Sequence, residues 1–198
     1  MAWEEICMRK LVQLLVIACM VVLSTQIAFA NSDKVTIADG ADLTSVHRLA
    51  IAQPNYYQVD PKSPDKSLLC QIEYDTSRVA TNFYVLSYND VVKDVQTRRK
   101  VDMTKLNDRM AKAVFKENVS AVADGYITLT VANNSRTQFF FDVWQAGTNK
   151  LLYSYQIAAN RNEADSIATY TNLCDQFYKH FARSVEEQTK AAAKKDKK

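Results

Sequence analysis

The sequence predicts an α/β fold in which a mixed sheet packs against helices as a sandwich, with the element order β-α-β-α-α-β-β-β-α. Strand and helix patterns alternate up to about residue 118, which indicates αβ units that feed one sheet. Three strand patterns then follow one another between residues 126 and 157, which predicts an antiparallel meander. A last segment with helical spacing, residues 162–187, predicts a long closing helix.

The first strand is predicted over residues 46–59 and follows a polar segment. Pro54 interrupts it, so the strand either lies at an edge of the sheet or is divided in two, because proline cannot donate to a ladder. Residues 31–45 are polar and contain Asp39-Gly40, which predicts a flexible lead-in. The single α/β domain is therefore expected to span residues 46–187.

Three helices and a short strand are predicted before residue 118. Ser63-Pro64-Asp65 predicts the first helix start, with Ser63 as the cap; its apolar positions are Leu68, Leu69, Ile72 and Val79. A buried strand is expected at residues 82–86, and Ser87 is expected to cap a second helix whose buried face holds Val91, Val92 and Val95. Thr104 is expected to open the third helix, residues 105–118, whose buried side holds Leu106, Met110, Ala113 and Val114.

The C-terminal part predicts strands over residues 126–131, 137–145 and 151–157, with a hairpin turn at residues 146–150. Alternation in the second strand places Phe139, Phe141 and Val143 on one face and Phe140, Asp142 and Trp144 on the other. Asn162 is expected to cap the closing helix. Residues 188–198 contain no apolar side chain larger than alanine and are predicted to be a disordered, lysine-rich tail.

Residues 1–30 have the three parts of a secretory signal peptide. Arg9 and Lys10 precede an apolar stretch, and Ala28-Phe29-Ala30 provides the small-residue exit, which predicts cleavage after Ala30 and an exported protein. Two alternatives stay open: residues 11–30 could remain as a membrane anchor, or Cys19 could be lipidated. The expected location is periplasmic or extracellular after cleavage.

The charge balance argues against a nucleic-acid partner. The net charge is +3, and most of it comes from Lys190, Lys194, Lys195, Lys197 and Lys198, which with Asp196 give the tail +4. The rest of the chain is near −1, whereas nucleic-acid binding needs a basic face on the domain itself. The lysine tail could make a weak contact with an anionic membrane or wall polymer.

The usual catalytic and cofactor motifs are missing. The three glycines, Gly40, Gly125 and Gly147, are too scattered for a P-loop, a dinucleotide fingerprint or a nucleophile elbow. The two histidines, His47 and His180, have no partner histidine at metal-ligand spacing. We expect no cofactor, no metal and no enzymatic activity. A carboxylate pair needs no motif and stays open, with candidates Asp75, Asp90, Asp94, Asp102, Asp124 and Asp142.

Aromatic side chains on both faces of one hairpin are the candidate partner-binding residues: Phe140, Trp144, Tyr153 and Tyr155. One set must fill the core, and the other needs a helix, a ligand or a partner to cover it. Cys70 and Cys174 are the two cysteines beyond the leader. They either form one disulfide or are buried free thiols.

Four short segments carry a resemblance to a group of bacterial envelope domains: residues 48–52, 83–87, 123–127 and 147–154. The chain resembles the amino-terminal domain of TolB, the LpoB-type activators of peptidoglycan synthases and CsgG-like secretion proteins. The resemblance implies an adaptor that binds other envelope proteins without catalysis.

The sequence therefore predicts an exported, non-catalytic accessory protein that binds a protein partner in cell-envelope assembly or secretion. Two alternatives stay open, a carboxylate-based hydrolase acting on cell-wall polymer and a self-assembling structural subunit.

Overall fold

The computed structural model describes residues 33–57, 64–79, 83–133 and 136–195. The predicted signal peptide, residues 1–30, and the proposed lipidation site at Cys19 lie outside the described residues. The elements in chain order are β1 (Lys34–Ile37), β2 (Arg48–Ile51), β3 (Asn55–Tyr56), α1 (Lys66–Thr76), β4 (Tyr84–Leu86), α2 (Tyr88–Arg99), α3 (Asp108–Asn118), β5 (Gly125–Ala132), β6 (Gln138–Gln145), β7 (Leu151–Ala158) and α4 (Ile167–Lys195).

One mixed sheet of seven strands organises the fold, in the order β1-β7-β6-β5-β2-β4, with the short β3 pairing with β5. Strand β2 runs parallel to β4 and β5, whereas β5, β6, β7 and β1 form an antiparallel meander. The predicted α/β class, the mixed sheet and the long closing helix are confirmed.

Helices α1 and α4 cover one face of the sheet and form the larger core. Phe139, Phe141 and Val143 of β6 point into this core, as predicted, and are fully buried. Phe177 of α4 stacks on Phe141 with ring centroids 4.3 Å apart. Burial of such aromatic side chains is a major source of stability.

Helices α2 and α3 form a smaller core on the opposite face, next to β2 and β5. The predicted cap and buried face of α2 are confirmed: Ser87 and Asp90 form a capping box, and Val91, Val92 and Val95 are buried. Such a box satisfies two otherwise unpaired backbone donors at the helix start.

The predicted flexible lead-in needs correction, whereas division of the first strand at Pro54, one of its two predicted alternatives, is confirmed. Lys34–Ile37 form an edge strand paired with β7, and Leu43 is buried in the larger core. The polar pattern is compatible with an edge strand because one side of such a strand faces water. Pro54 divides the predicted first strand into β2 and β3, and β2 is a central strand.

Three predicted helix caps are wrong in position. Asp65, rather than Ser63, caps α1, and its Oδ1 accepts the backbone N–H groups of Ser67 and Leu68. Asn107 caps α3 after a short 3-10 turn at Met103–Lys105, so Thr104 does not open the helix. Helix α4 begins at Ile167, after Asn162, and the Ser166 hydroxyl accepts the N–H of Thr169 at 3.3 Å.

The buried face of α3 is rotated from the predicted one. Its buried residues are Ala111, Phe115 and Asn118, whereas Met110 is 52% exposed. Phe115 determines this orientation because it packs against the rings of Tyr88 and Tyr126, at 6.0 and 5.9 Å between centroids.

The predicted disordered tail is helical up to Lys195, because α4 continues without a break from Ile167. Lysine and alanine are good helix formers, and Lys190 pairs with Glu186 one turn earlier at 3.6 Å. Of the other tail lysines, Lys194 is exposed, and Lys197 and Lys198 lie outside the described residues.

Candidate functional site

Half of one sheet face carries no helix among the described residues. The smaller core under α2 and α3 includes residues of β2 and β5 but reaches β6 only at Trp144, and it includes no residue of β7 or β1. Apart from the buried Ala132 and Ala158, the remaining side chains of this face are half-buried or exposed. We call it the open face, formed by Gln138, Phe140, Asp142, Ser154, Gln156, Thr36 and Lys34.

A cleft of about 250 Å³ lies where α3 meets the open face. Its floor is formed by Tyr126, Thr128 and Thr130 of β5, which alternate toward this face. The wall on the helix side includes Lys112 and Lys116, and the side facing β6 is formed by Asp142 and Trp144. We call it the Trp144 cleft.

Trp144 is held in place by two polar contacts. Its Nε1–H donates to Thr128 Oγ1 at 2.9 Å, across the β5–β6 pair. Lys116 Nζ lies 6.0 Å from the centre of the indole, in cation–π range. The indole therefore presents a fixed apolar surface to the cleft.

Tyr126 forms the deepest part of the floor and is fully buried. Its hydroxyl donates to Asn149 Oδ1 at 2.7 Å. Burial raises the pKa of Tyr126 to about 12, so this hydroxyl stays protonated and neutral near neutral pH.

Among the described residues, the charged groups of the Trp144 cleft form no ion pair, although Asp108 acts on Lys112 from beyond ion-pair distance. Lys112 Nζ donates to Asn55 Oδ1, and within the described part of the chain no carboxylate lies within 4 Å of it. Burial lowers the pKa of Lys112, with smaller contributions in the same direction from Lys66 and Lys116. Asp142 accepts from the Ser154 hydroxyl and forms no ion pair within the described chain.

The four predicted partner-binding aromatics separate into two groups. Phe140 and Trp144 are half-buried and lie on the open face or at its border. Tyr153 and Tyr155 are 0% and 1% exposed and pack under α4, so they belong to the core. Tyr153 contacts Phe181 edge to face at 5.1 Å, which explains why it is unavailable to a partner.

The two predicted disulfide cysteines are both free thiols in the structure. They lie on α1 and α4, which pack against each other. Cys174 is fully buried and Cys70 is half-buried. Burial raises the pKa of the Cys70 thiol to about 12 and that of Cys174 well above its ordinary value.

The candidate carboxylates are dispersed and engaged locally. Asp142 is the one carboxylate among the residues that line the Trp144 cleft. Asp124 accepts the backbone N–H groups of His47 and Arg48 at 3.1 and 2.9 Å. Asp90 caps α2, and Asp94 pairs with Arg98. The last two candidates, Asp75 and Asp102, accept hydrogen bonds from the Gln71 amide and the Thr104 hydroxyl.

The histidines are also separated. His180 stacks on Tyr155 at 5.0 Å between ring centroids, and its Nε2 lies 3.3 Å from Asp33. His47 is exposed before β2. Within residues 33–57, 64–79, 83–133 and 136–195, no group of histidine, cysteine, aspartate or glutamate side chains could hold a metal ion.

Sequence reasoning missed the two lysines of the cleft. Lys112 and Lys116 are spaced by four residues, which places them on one side of a helix. That spacing could have identified a shared face, but it could not show that the face borders Trp144.

No helix in the described part of the chain has the length and apolar character needed to cross a bilayer. Searches of protein-family models found no match, and no curated protein matches the chain.

Solved structures with a similar chain path include the C-terminal domain of LpoB from Escherichia coli, at 14% identity and a TM-score of 0.46, covering 62% of this chain and 87% of that chain. The PelC dodecamer from Paraburkholderia phytofirmans is similar at 10% identity, with a TM-score of 0.42 and coverage of 73% and 93%. Protein XCC0632 from Xanthomonas campestris is similar at 8% identity, with a TM-score of 0.38 and coverage of 81% and 95%. At these values the matches describe a partial resemblance of fold and carry no functional assignment.

Proposed function

We propose that this protein is an exported, non-catalytic accessory protein of the cell envelope that binds a protein partner through the open face of its sheet. The observation that carries the proposal is the position of Phe140, half-buried on the part of the sheet face without helix cover among the described residues, with Trp144 at its border beside α3. Half-exposed aromatic side chains rimmed by polar ones are typical of protein interfaces.

The polar residues of the open face also support a reversible interface. Phe140 stands between Thr130 and Gln156 on the neighbouring strands, so one aromatic side chain is surrounded by hydrogen-bonding groups. Interfaces of this kind place an aromatic anchor at the centre and polar groups at the rim.

Export is supported by the predicted signal peptide, residues 1–30. The amino-terminal sequence of the protein purified from its own host tests this part. A chain that starts at Asn31 supports cleavage after Ala30, and an intact chain recovered with membranes supports retention of residues 11–30 as an anchor.

Site-specific photocrosslinking in intact cells tests the partner. A photoreactive amino acid is placed at Phe140, and a matched control is placed at Gln96, which is exposed on α2. We expect a discrete adduct with another protein at position 140 and none at position 96. The same adducts at both positions, or none at position 140, would overturn the proposal.

A self-assembling subunit is a second candidate, favoured by the two edge strands. All four residues of β1 are exposed, and Tyr84 on the opposite edge strand β4 is 59% exposed. Unpaired edges can add strands from another copy. Light scattering on the purified chain distinguishes the candidates, because a self-assembling subunit gives a mass several times that of one chain.

A further inference from the structure

The Trp144 cleft is lined by charged groups of both signs. Lys112 and Lys116 belong to the α3 side, and Asp142 belongs to β6. Among the described residues, these three groups form no ion pair with each other or with any other side chain. Unpaired charges of opposite sign facing one small volume are complementary to a ligand that carries both charges.

The space between these charges has a mixed lining, in which aromatic and small apolar side chains stand beside the polar side chains of Gln53, Asn55, Thr128 and Thr130. Phe115, Tyr126 and the indole of Trp144 surround it, and Ala52 and Ala111 provide small side chains that leave room. The Trp144 Nε1–H is already used by Thr128, so the indole offers its apolar surface rather than a donor. The occupant is therefore expected to carry an apolar group between or beside its charges.

The size of the cleft limits the ligand. Its volume of about 250 Å³ is below the roughly 300 Å³ at which pockets for drug-sized molecules begin. An amino acid with an apolar side chain is of suitable size for it.

We propose that the Trp144 cleft binds a free amino acid with an aromatic or large aliphatic side chain. Lys112 and Lys116 bind the carboxylate of the ligand, Asp142 binds its ammonium group, and the side chain packs against Trp144 and Phe115. This site goes beyond the proposed partner-binding function and does not depend on it.

The state of Lys112 supports this assignment. Its ammonium group is disfavoured by burial and by the nearby cations Lys66 and Lys116, and only Asp108 opposes this effect. A bound carboxylate restores a favourable environment for the charge. Asp142 accepts one hydrogen bond, from Ser154, and a carboxylate has further acceptor positions for a ligand ammonium.

Trp144 makes the binding directly observable. The chain has two tryptophans, Trp3 and Trp144. In the full chain carrying Trp3→Phe, the fluorescence reports on Trp144 alone. Titration with phenylalanine is compared with 3-phenylpropanoate, which lacks the ammonium group, and with phenylalaninamide, which lacks the carboxylate. Calorimetry on the same chain gives the affinities independently of the fluorescence.

We expect saturable binding of phenylalanine and at least about tenfold weaker binding of both analogues, since each loses one charge pair. Equal binding of 3-phenylpropanoate would overturn the proposal and make the cleft a site for carboxylates in general. Absence of saturable binding by phenylalanine and leucine would also overturn it.

Variants locate the charges. Asp142→Asn keeps an acceptor for Ser154, and we expect it to remove the preference for phenylalanine over 3-phenylpropanoate. Lys116→Gln should remove the preference for phenylalanine over phenylalaninamide. Lys93→Gln, on the exposed side of α2, should leave both preferences unchanged. Unfolding curves show that each variant is folded. Unchanged preferences in both cleft variants would overturn the assignment of the charges.

Discussion

The side-chain amide of Gln188 forms hydrogen bonds with the backbone on both sides of Asp42. Gln188 and Leu43 are 145 residues apart in the sequence. Leu43 N–H donates to Gln188 Oε1 at 2.8 Å, and Gln188 Nε2 donates to the Ala41 carbonyl at 3.1 Å. These two hydrogen bonds join the segment predicted from the sequence as a flexible lead-in to the segment predicted as a disordered tail. One polar side chain therefore joins the two ends of the domain.

Replacement of Gln188 by alanine is expected to destabilise the fold. The variant leaves the half-buried N–H of Leu43 without its partner, which costs about 1–2 kcal/mol in the free energy of unfolding. Urea denaturation followed by circular dichroism measures this change. Glu187→Ala, at the exposed neighbouring position, should stay within about 0.5 kcal/mol of the parent; an equal effect in both variants would contradict a role for the amide.

The predictions of a flexible lead-in and a disordered tail are wrong for a simple physical reason. Local patterns detect buried faces and caps, and neither segment has an apolar face that the chain itself makes evident. The pairing of β1 with β7 and the bond between Gln188 and Leu43 both involve backbone groups of residues far apart in the sequence. Backbone groups carry no sequence signature. The meander of β5, β6 and β7 was predictable because alternation and turn residues are local.

The Trp144 cleft was only half predictable for the same reason. Alternation along β6 places Asp142 and Trp144 on one face, and the structure agrees. The predicted face of α3 is wrong because its apolar residues form two overlapping sets with helical spacing. The set with Phe115 is buried since an aromatic ring removes more apolar surface from water than Met110 does. Lys112 and Lys116 then border the cleft.

Glu73 is the most unfavourable group in the larger core, and its replacement by methionine is expected to stabilise the protein. Glu73 is 0% exposed, and neither carboxyl oxygen has a hydrogen-bond partner among the residues that the structure describes. Burial raises the pKa of Glu73 well above its ordinary value. Glu73→Met has similar length and no unsatisfied oxygen, and we expect about 1–3 kcal/mol of additional stability at neutral pH.

The pH dependence of stability provides a sharper test of Glu73. The folded state retains a proton that the unfolded state releases above a pKa of about 4.3. The folded form therefore loses stability as the pH rises from that value towards the raised pKa of Glu73. Unfolding curves between mildly acidic and alkaline pH should show this loss in the parent and in Glu117→Gln, an exposed control, but reduced in Glu73→Met. Parallel profiles of unfolding free energy against pH in the parent and both variants would contradict a raised pKa for Glu73.

Phe177 packs α4 against the sheet. We expect Phe177→Ala to lower the free energy of unfolding more than any other substitution proposed for this protein. Its ring centroid lies 4.3 Å from that of Phe141 and 6.0 Å from that of Phe181, and all three side chains are fully buried. Phe177→Ala leaves a cavity and should cost about 3–5 kcal/mol in the free energy of unfolding. Phe177→Leu keeps most of the volume and should cost clearly less. Asn172→Ala, on the exposed side of α4, is the matched control; a small effect of Phe177→Ala would contradict the packing.

The free thiols of Cys70 and Cys174 are expected to be almost unreactive in the folded protein. Only the thiolate is alkylated, and burial, followed by the nearby Glu73 and Asp65, raises the pKa of Cys70 to about 12. At pH 8 this reduces the thiolate fraction by roughly 10³-fold relative to an exposed cysteine. In the full chain with Cys7→Ser and Cys19→Ser, mass spectrometry should show slow iodoacetamide labelling in buffer and complete labelling of both sites in urea. The rate for Cys70 should still be rising above about pH 10, where an ordinary thiol is almost fully ionised. Labelling in buffer as fast as in urea, or a native chain lighter by the two hydrogens of a disulfide, would contradict two buried free thiols.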